Sequence, residues 1–397
     1  AAWVKYPRDS ACVFASLRSD EANSVAEIET IIATYENLIA YVANSETADH
    51  IPTESDYAQL GLMDVSARTL VVLNDALTRD ASLSNIVNDV NELQLLINDF
   101  NSSMDTIRLY SEDPIAMAEQ IPTLQTFQKL RLANIDESLV DSINSVLADS
   151  DVVLTAEGVR NEAQSIINTY NSLLSFNTQD VDSVAPTTDD YAILGVTQLT
   201  DARAVDFAAS LLTNKTAEQI NTAEQLSDIA DAINALLHTA DLEDASTAGT
   251  DENTITVEQL ALLNQQVTDA QLSTVRAFIA TKADTDVAGL TALTEMVDAV
   301  TVAAERIKAY SADATAAVDT DNGGLGEPTV LDYQVVLAGT GTFIADLAAM
   351  NEILADSDVV VGETDLQSEL NSLVTAYNVL YGMADGGSVN ELDELSL

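Results

Sequence analysis

Five short stretches of this chain begin in the same way, and their regular spacing limits the folds open to it. Pro52-Thr53-Glu54-Ser55-Asp56-Tyr57 is followed by Leu60-Gly61, and Pro186-Thr187-Thr188-Asp189-Asp190-Tyr191 by Leu194-Gly195. Pro328-Thr329-Val330-Leu331-Asp332-Tyr333 leads to Leu337, Pro122-Thr123-Leu124-Gln125-Thr126-Phe127 leads to Leu130, and Ile255-Thr256-Val257-Glu258-Gln259-Leu260 is the most altered copy. A second mark keeps step with these starts. Glu92, Glu162, Glu224, Glu295 and Glu369 follow Pro52, Pro122, Pro186, Ile255 and Pro328 in turn, at a nearly constant distance. An aromatic stands two helical turns beyond three of the glutamates, as Phe100, Tyr170 and Tyr377, and Glu27 with Tyr35 repeats the relation near the N-terminus. A fixed period, here about 70 residues, is the signature of a repeat architecture.

Each copy reads as three helices. Proline beside a threonine, with acids following, is a helix start, and glycine at Gly61 or Gly195 supplies the left-handed residue that ends a short helix. A second helix follows, as over 66–77, where Leu70, Leu73, Asn74 and Leu77 share one side. Its ending recurs as Leu147-Ala148-Asp149-Ser150-Asp151 and Leu354-Ala355-Asp356-Ser357-Asp358. The third helix is long. Ile28, Ile31, Ile32, Tyr35, Leu38 and Ile39 keep the 3.6-residue period, as do Ala163, Ile166, Ile167, Tyr170, Leu173 and Leu174. In the first and fourth copies it is extended, ending in Ile107-Arg108-Leu109-Tyr110-Ser111 and Ile307-Lys308-Ala309-Tyr310-Ser311. No run alternates as a half-buried strand does, and Val152-Val153-Leu154 and Val359-Val360-Val361 read as links between helices.

The expected fold is therefore all-α: tandem three-helix repeats forming an elongated solenoid or a string of small helical bundles. The divisions are an apolar and basic arm at 1–20, a partial repeat at 21–51, and full repeats at 52–121, 122–185, 186–254, 255–327 and 328–397. The fourth is divergent, lacking the proline and tyrosine marks. Loops at 240–254 and 312–327 are read as boundaries. Tyr57, Tyr191 and Tyr333 are read as packing residues whose hydroxyls reach the surface.

Charge excludes several partners. Against 15 Lys and Arg stand 65 Asp and Glu, a formal net charge of −50. Such a surface repels nucleic-acid phosphates and anionic membranes, and it suits a saline setting in which screening weakens self-repulsion. No stretch approaches the roughly 20 apolar residues of a membrane span. Cys12 is the single cysteine, so no disulfide forms within the chain.

Three of the 15 bases, Lys5, Arg8 and Arg18, cluster in the segment 1–18, with Trp3, Tyr6, Val13, Phe14 and Leu17 and one acid, Asp9. Two readings of this arm are open. It folds onto its own first helices, or it straps onto the acidic surface of a neighbouring copy. The half-repeat that comes next lacks partner helices and is expected to leave an apolar face for a neighbour's last unit, head to tail.

Catalytic patterns are few. His50 beside Asp49 and His238 near Asp241 stand in loops or at helix ends, and there is no Gly-x-Ser-x-Gly turn, phosphate loop, metalloprotease helix or cysteine zinc pattern. No cofactor is expected, with calcium the one metal to weigh. Asp319-x-Asp321-Asn322-Gly323-Gly324 has the look of a calcium loop but lacks its closing glutamate, so Asp319 and Asp321 are the candidate ligands. Helix-capping acids are the competing reading.

The segment 186–197, Pro-Thr-x-x-Asp-Tyr-x-x-Leu-Gly-Val-Thr, and the Glu162 to Asn171 helix resemble helical repeats in giant surface proteins and adhesins of marine Gram-negative bacteria. The resemblance spans roughly residues 21 to 385 and implies an extracellular, cation-rich setting with a spacer, adhesive or fibre-forming role. It brings no catalytic residues. The expected function is a secreted structural protein at the cell surface, a fibre subunit or adhesin stalk segment, with copies of itself as partners. A cytoplasmic helical scaffold or binding protein of a halophile would carry the same charge. An extracellular polymer hydrolase would need a concave site with a perturbed acid pair or a metal.

Overall fold

The computed structural model describes residues 24–45, 48–79, 89–242, 253–282, 284–287, 289–319, 323–356, 359, 361–362 and 365–384. Those residues hold seventeen α-helices and no strand. In chain order they are α1 (Val25–Ala43), α2 (Glu54–Gln59), α3 (Ala67–Arg79), α4 (Val90–Glu112), α5 (Leu124–Lys129), α6 (Glu137–Leu147), α7 (Val159–Asn177) and α8 (Thr188–Ile193). There follow α9 (Ala202–Leu212), α10 (Ala223–Ala240), α11 (Val257–Leu262), α12 (Asp269–Ile279), α13 (Leu290–Ala312), α14 (Ala314–Val318), α15 (Val330–Val336), α16 (Leu347–Leu354) and α17 (Leu366–Ala384). After α1, the order short, medium, long recurs five times, with α14 inserted after α13. The extended third helices are α4 and α13, both 23 residues long. The stretch at 312–327, read as a boundary loop, contains α14 because Asp313 accepts from the Ala316 amide and starts a new helix.

Local chemistry accounts for the short helices. Four of the five carry a full capping box, in which a threonine hydroxyl accepts from the amide three residues on while that residue's side chain accepts from the threonine amide. The pairs are Thr53–Asp56, Thr123–Thr126, Thr256–Gln259 and Thr329–Asp332. At α8, Thr187 and Asp190 make the same reciprocal bonds. Each short helix is then closed by a residue with positive φ: Gly61, Arg131, Gly195, Asn264 and Gly339.

The chain forms two compact units. One runs to Ser175 and includes Ala192–Gly195 and Asn221–Glu224; the other comprises Phe176–Tyr191, Val196–Ile220 and Gln225 onward. In the first, α1 packs on α2 and α3, α3 on α4, and α4 on α5 and α6. In the N-terminal half-repeat, Ile31, Tyr35, Leu38 and Tyr41 of α1 are buried and the short and medium helices after α1 pack against it, while Val25 and Ile39 stay exposed. On α4 the buried set is Val90, Leu93, Ile97, Phe100, Met104, Ile107 and Tyr110, the stripe that a 3.6-residue period dictates. Each such side chain taken from water stabilises by about 1.5–3 kcal/mol. In the second unit, α13 packs on α9, α12, α14 and α15, and α12 also meets α15 and α17. In both units a long helix lies against the next short helix in the chain.

Gly195 shows how tightly the short-helix ends are fixed. Its φ is +85°, and a Cβ there would stand 3.0 Å from Asp149 Cγ and 3.2 Å from Val152 Cγ2. Gly195→Ala is expected to destabilise by at least about 1 kcal/mol from the left-handed backbone alone, read as a lower urea midpoint.

Candidate functional site

The residues singled out for self-association, Trp3, Lys5, Tyr6, Arg8, Phe14 and Arg18, lie outside the described residues, as does Asp321. Asp319 is described. It is the C-cap of α14, its amide donates to the Ala316 carbonyl, and its own carbonyl accepts from Gly324. Gly324 passes so close to the Ala316 and Ala317 carbonyls that a Cβ has no room, and the Gly326 amide donates to Ala317. The glycines that give this segment its calcium-loop look are needed to fold the chain back over the end of α14. Among the described residues no group of three or more His, Cys, Asp or Glu is arranged to hold a metal ion.

The polar side chains that recur hold one segment to another. Asn74, Asn144 and Asn351 on the medium helices donate from Nδ2 to the carbonyls of Pro52, Pro122 and Pro328, at 2.9, 2.8 and 2.9 Å. Asn101, Asn171, Asn234 and Asn378 on the long helices donate to the carbonyls of Asp64, Asn134, Gln198 and Phe343 in the links after the short helices. Gln94 grips Met63 and Gln164 grips Ala133 through both amide and carbonyl. These side chains satisfy backbone groups that no helix can reach, and so hold irregular links in place.

The tyrosines correct a sequence expectation. Tyr57, Tyr191 and Tyr333 are fully buried, and their hydroxyls do not reach the surface. Tyr57 Oη donates to Asn74 Oδ1 and Tyr333 Oη to Asn351 Oδ1, both at 2.6 Å. Burial pushes all three phenols far above their usual range, with the neighbouring acids Asp56, Asp190 and Asp332 adding to it. Elsewhere the pair is broken in an instructive way. Phe127 stands in the tyrosine's place, and Asn144 Oδ1 is buried without a partner. Tyr191 keeps its hydroxyl, but Ala208 stands in the asparagine's place and that hydroxyl is buried without a partner. Leu260 and Ala277 replace both, and Arg276 Nε donates instead to the Ile255 carbonyl at 2.6 Å. Losing one partner strands the other, whereas losing both is nearly neutral.

Several of the scarce bases join segments distant in sequence. Arg160 joins Asp75 (2.9 Å) to the Leu130 carbonyl (3.0 Å), Lys129 meets Asp99 and Arg68 meets Asp105, both at 2.8 Å. In the second unit Arg306 joins Asp332 to the Leu325 carbonyl, and Arg203 forks onto Asp241 with both contacts at 3.1 Å. Lys215 is buried, donates to Asn264 Oδ1 at 2.7 Å, and is pushed below its ordinary value by desolvation.

His50 meets Asp56 at 2.8 Å, and His238 lies in the last turn of α10. His238 lines an open groove of about 440 Å³ with Asp231, Asn234, Asn253, Thr254 and Gln259. Burial, and then Asp228, pushes the Asp231 carboxyl up. A second groove of about 550 Å³ is lined by Asp64, Ser66, Arg68, Asn98, Asn101 and Asp105. Both are wide and polar.

One apolar face stands out. Tyr377 and Tyr381 of α17 lie with ring centroids 5.9 Å apart, and Tyr381 and Leu380 are 45% and 57% exposed. Measured from Glu369, Tyr377, Leu380 and Tyr381 match Phe100, Ser103 and Met104 after Glu92, all buried on α4. No described helix is long and apolar enough to cross a membrane. No family model, curated protein or solved structure matches the chain.

Phe127→Tyr offers the stranded Asn144 oxygen a donor and is expected to raise stability by about 1 kcal/mol, seen as a higher denaturation midpoint. Asp56 gives a pH test. Burial raises its carboxyl, but bonds from the Thr53 hydroxyl and His50 outweigh that and hold it below its ordinary value. A carboxyl depressed on folding stabilises above its unfolded value, about 3.9, and that contribution fades as pH falls through the lower folded value. The stability gap between the native protein and Asp56→Asn is therefore expected to be widest near neutrality and to narrow below about pH 4, which denaturation across pH measures.

Proposed function

We propose that this chain is a secreted structural protein built of tandem three-helix repeats stacked into an elongated body. It associates end to end with its own copies as a subunit of a surface fibre or as a stalk segment of an adhesin. The observation that carries the reading is the recurrence of one buried joint, an asparagine amide on the carbonyl that opens a short helix, at Pro52, Pro122 and Pro328. A block that reproduces its internal joints along a chain is suited to spanning distance, because each copy buries its faces against its neighbours. Supporting it are the short, medium, long order of the helices, the reciprocal threonine caps at all five short helices, and a net charge of −50 that keeps such a body hydrated. Its work is mechanical, with no reaction and no organic cofactor. Calcium at Asp319 and Asp321 belongs to the same reading, as does a saline extracellular setting.

Association is assigned to the basic, aromatic segment at the N-terminus. Deleting residues 1–18 is expected to abolish assembly, seen by negative-stain electron microscopy and light scattering, while circular dichroism keeps its helical signal. Normal polymerisation of the shortened protein would refute the strap. Small-angle scattering of the single chain tests the elongated body, and a profile of a compact sphere would overturn it.

A further inference from the structure

Three of the long helices in this protein pack against the next short helix. The short helices α2, α5 and α15 pack against the preceding α1, α4 and α13, and the buried residues of α4 run from Val90 to Tyr110. Helix α17 departs from this. Leu366, Leu370 and Val374 in its first half are buried, whereas Tyr377 is half-exposed and Leu380 and Tyr381 are open to solvent. At the same positions after the marker glutamate, Phe100, Ser103 and Met104 of α4, and Tyr170 and Leu173 of α7, are buried. The far half of α17 has the composition of a covered face, and none of the described residues covers it.

Its charge is as telling as its exposure. From Leu370 to Ala384 there is no Asp, Glu, Lys, Arg or His, in a chain of net charge −50. Two such chains repel almost everywhere, so an uncharged aromatic patch is where a second copy can approach without opposing carboxylates, and depletion of charge with enrichment in tyrosine marks the centre of an interface. An acid, Asp346, borders the patch. The loop that carries Phe343 and leads into Asp346 is bound to α17, with Asn378 Nδ2 donating to the Phe343 carbonyl at 2.6 Å and the Ala345 amide donating to Asn378 Oδ1 at 3.3 Å. Phe343 is itself exposed, and Asp346 lies near enough to Tyr377 to act on its phenol.

The segment that complements an apolar centre with an acid at its edge is residues 1–20, which combine Trp3, Tyr6, Phe14 and Leu17 with Lys5, Arg8 and Arg18. We propose that the Tyr377–Leu380–Tyr381 face of α17 is the acceptor for residues 1–20 of a second copy. The arm's aromatic side chains take the place that a following short helix takes on α4, and its bases meet the bordering acid. Tryptophan, tyrosine and arginine are the residue types that most often anchor such contacts. This rests on the end-to-end association already proposed and adds its receptor.

Two full-length variants test it. Leu380→Asp/Tyr381→Asp lacks the acceptor, and Trp3→Glu/Phe14→Glu lacks the donor. Each alone is expected to be monomeric by light scattering at concentrations where the native chain forms higher oligomers. Mixed in equal amounts, they are expected to form dimers and nothing longer, since one good donor meets one good acceptor. A dye-labelled peptide of residues 1–20 is expected to bind the donor-less chain and to bind at least about tenfold more weakly when Leu380 and Tyr381 are also changed to Asp. Tyr381→Phe keeps the apolar ring and is expected to assemble normally, which separates loss of the face from loss of the fold. If the acceptor-less chain polymerises like the native one, the arm docks elsewhere, and the inference fails while self-association stands. If the donor-less chain assembles and the acceptor-less one does not, α17 pairs with another α17, and the arm is overturned as occupant. A native chain that stays monomeric at every concentration overturns both readings.

Discussion

A six-residue helix cannot hold itself together in water, because its nucleation cost exceeds the return from one turn of hydrogen bonds. Everything in this fold depends on supplying that deficit from outside the helix. At three of the five short helices the supply comes twice over. A threonine and its partner three residues on close the start, and an asparagine from the medium helix holds the carbonyl just before it, as Asn74 holds Pro52 and Asn351 holds Pro328. There the short helix is laid against a long one, and its tyrosine or phenylalanine is driven into the core. Remove the asparagine, and a buried carbonyl and a buried hydroxyl are both left wanting.

How much of this is legible in the sequence follows from the range of each interaction. Caps and closing glycines act within a few residues, so Pro-Thr-x-x-Asp-Tyr and Leu-Gly announce the short helices, and the 3.6-residue period announces Ile31, Tyr35 and Leu38 as one buried face. The long-range amides are silent. Asn74 is visible as a member of the inner side of its helix, but nothing local distinguishes an asparagine that reaches Pro52 from one that faces water. The buried hydroxyls escape for the same reason, since a tyrosine's depth is set by a partner on another helix, at a spacing with no helical meaning. Helix α14 is hidden because Asp313 serves both as the end of one helix and the start of the next. At the candidate sites, the glycines near Asp319 carry a double meaning that only the close approach of Gly324 to the preceding carbonyls resolves toward backbone geometry. The α17 face is half visible, since Tyr377 is marked as an aromatic in register while its lack of cover is not.

The distribution of positive charge has a logic of its own. With 15 bases for 65 acids, a random scatter would leave most bases on the surface as solvated partners of nearby carboxylates. Instead Arg160, Arg203 and Arg306 each take a carboxylate and a carbonyl or two carboxylates at once, and so tie together parts of the chain far apart in sequence. Arginine suits this, because its planar fork reaches two acceptors in one geometry. Lys282 lies over the Phe278 ring and the stem of Lys308 lies against Gly362. Several of the described cations thus serve as internal fasteners.

The interrupted tyrosine–asparagine pairs have a mechanical corollary. Around Pro52 and Pro328 the joint is whole, near Ile255 it has been replaced outright by Leu260, Ala277 and Arg276, and only at Phe127–Asn144 and Tyr191–Ala208 is a polar atom entombed without company. Weak links therefore sit away from both ends of the chain. Local opening is therefore expected to start at α5 and α8, whose polar partners are missing, while α2 and α15 still hold their grip.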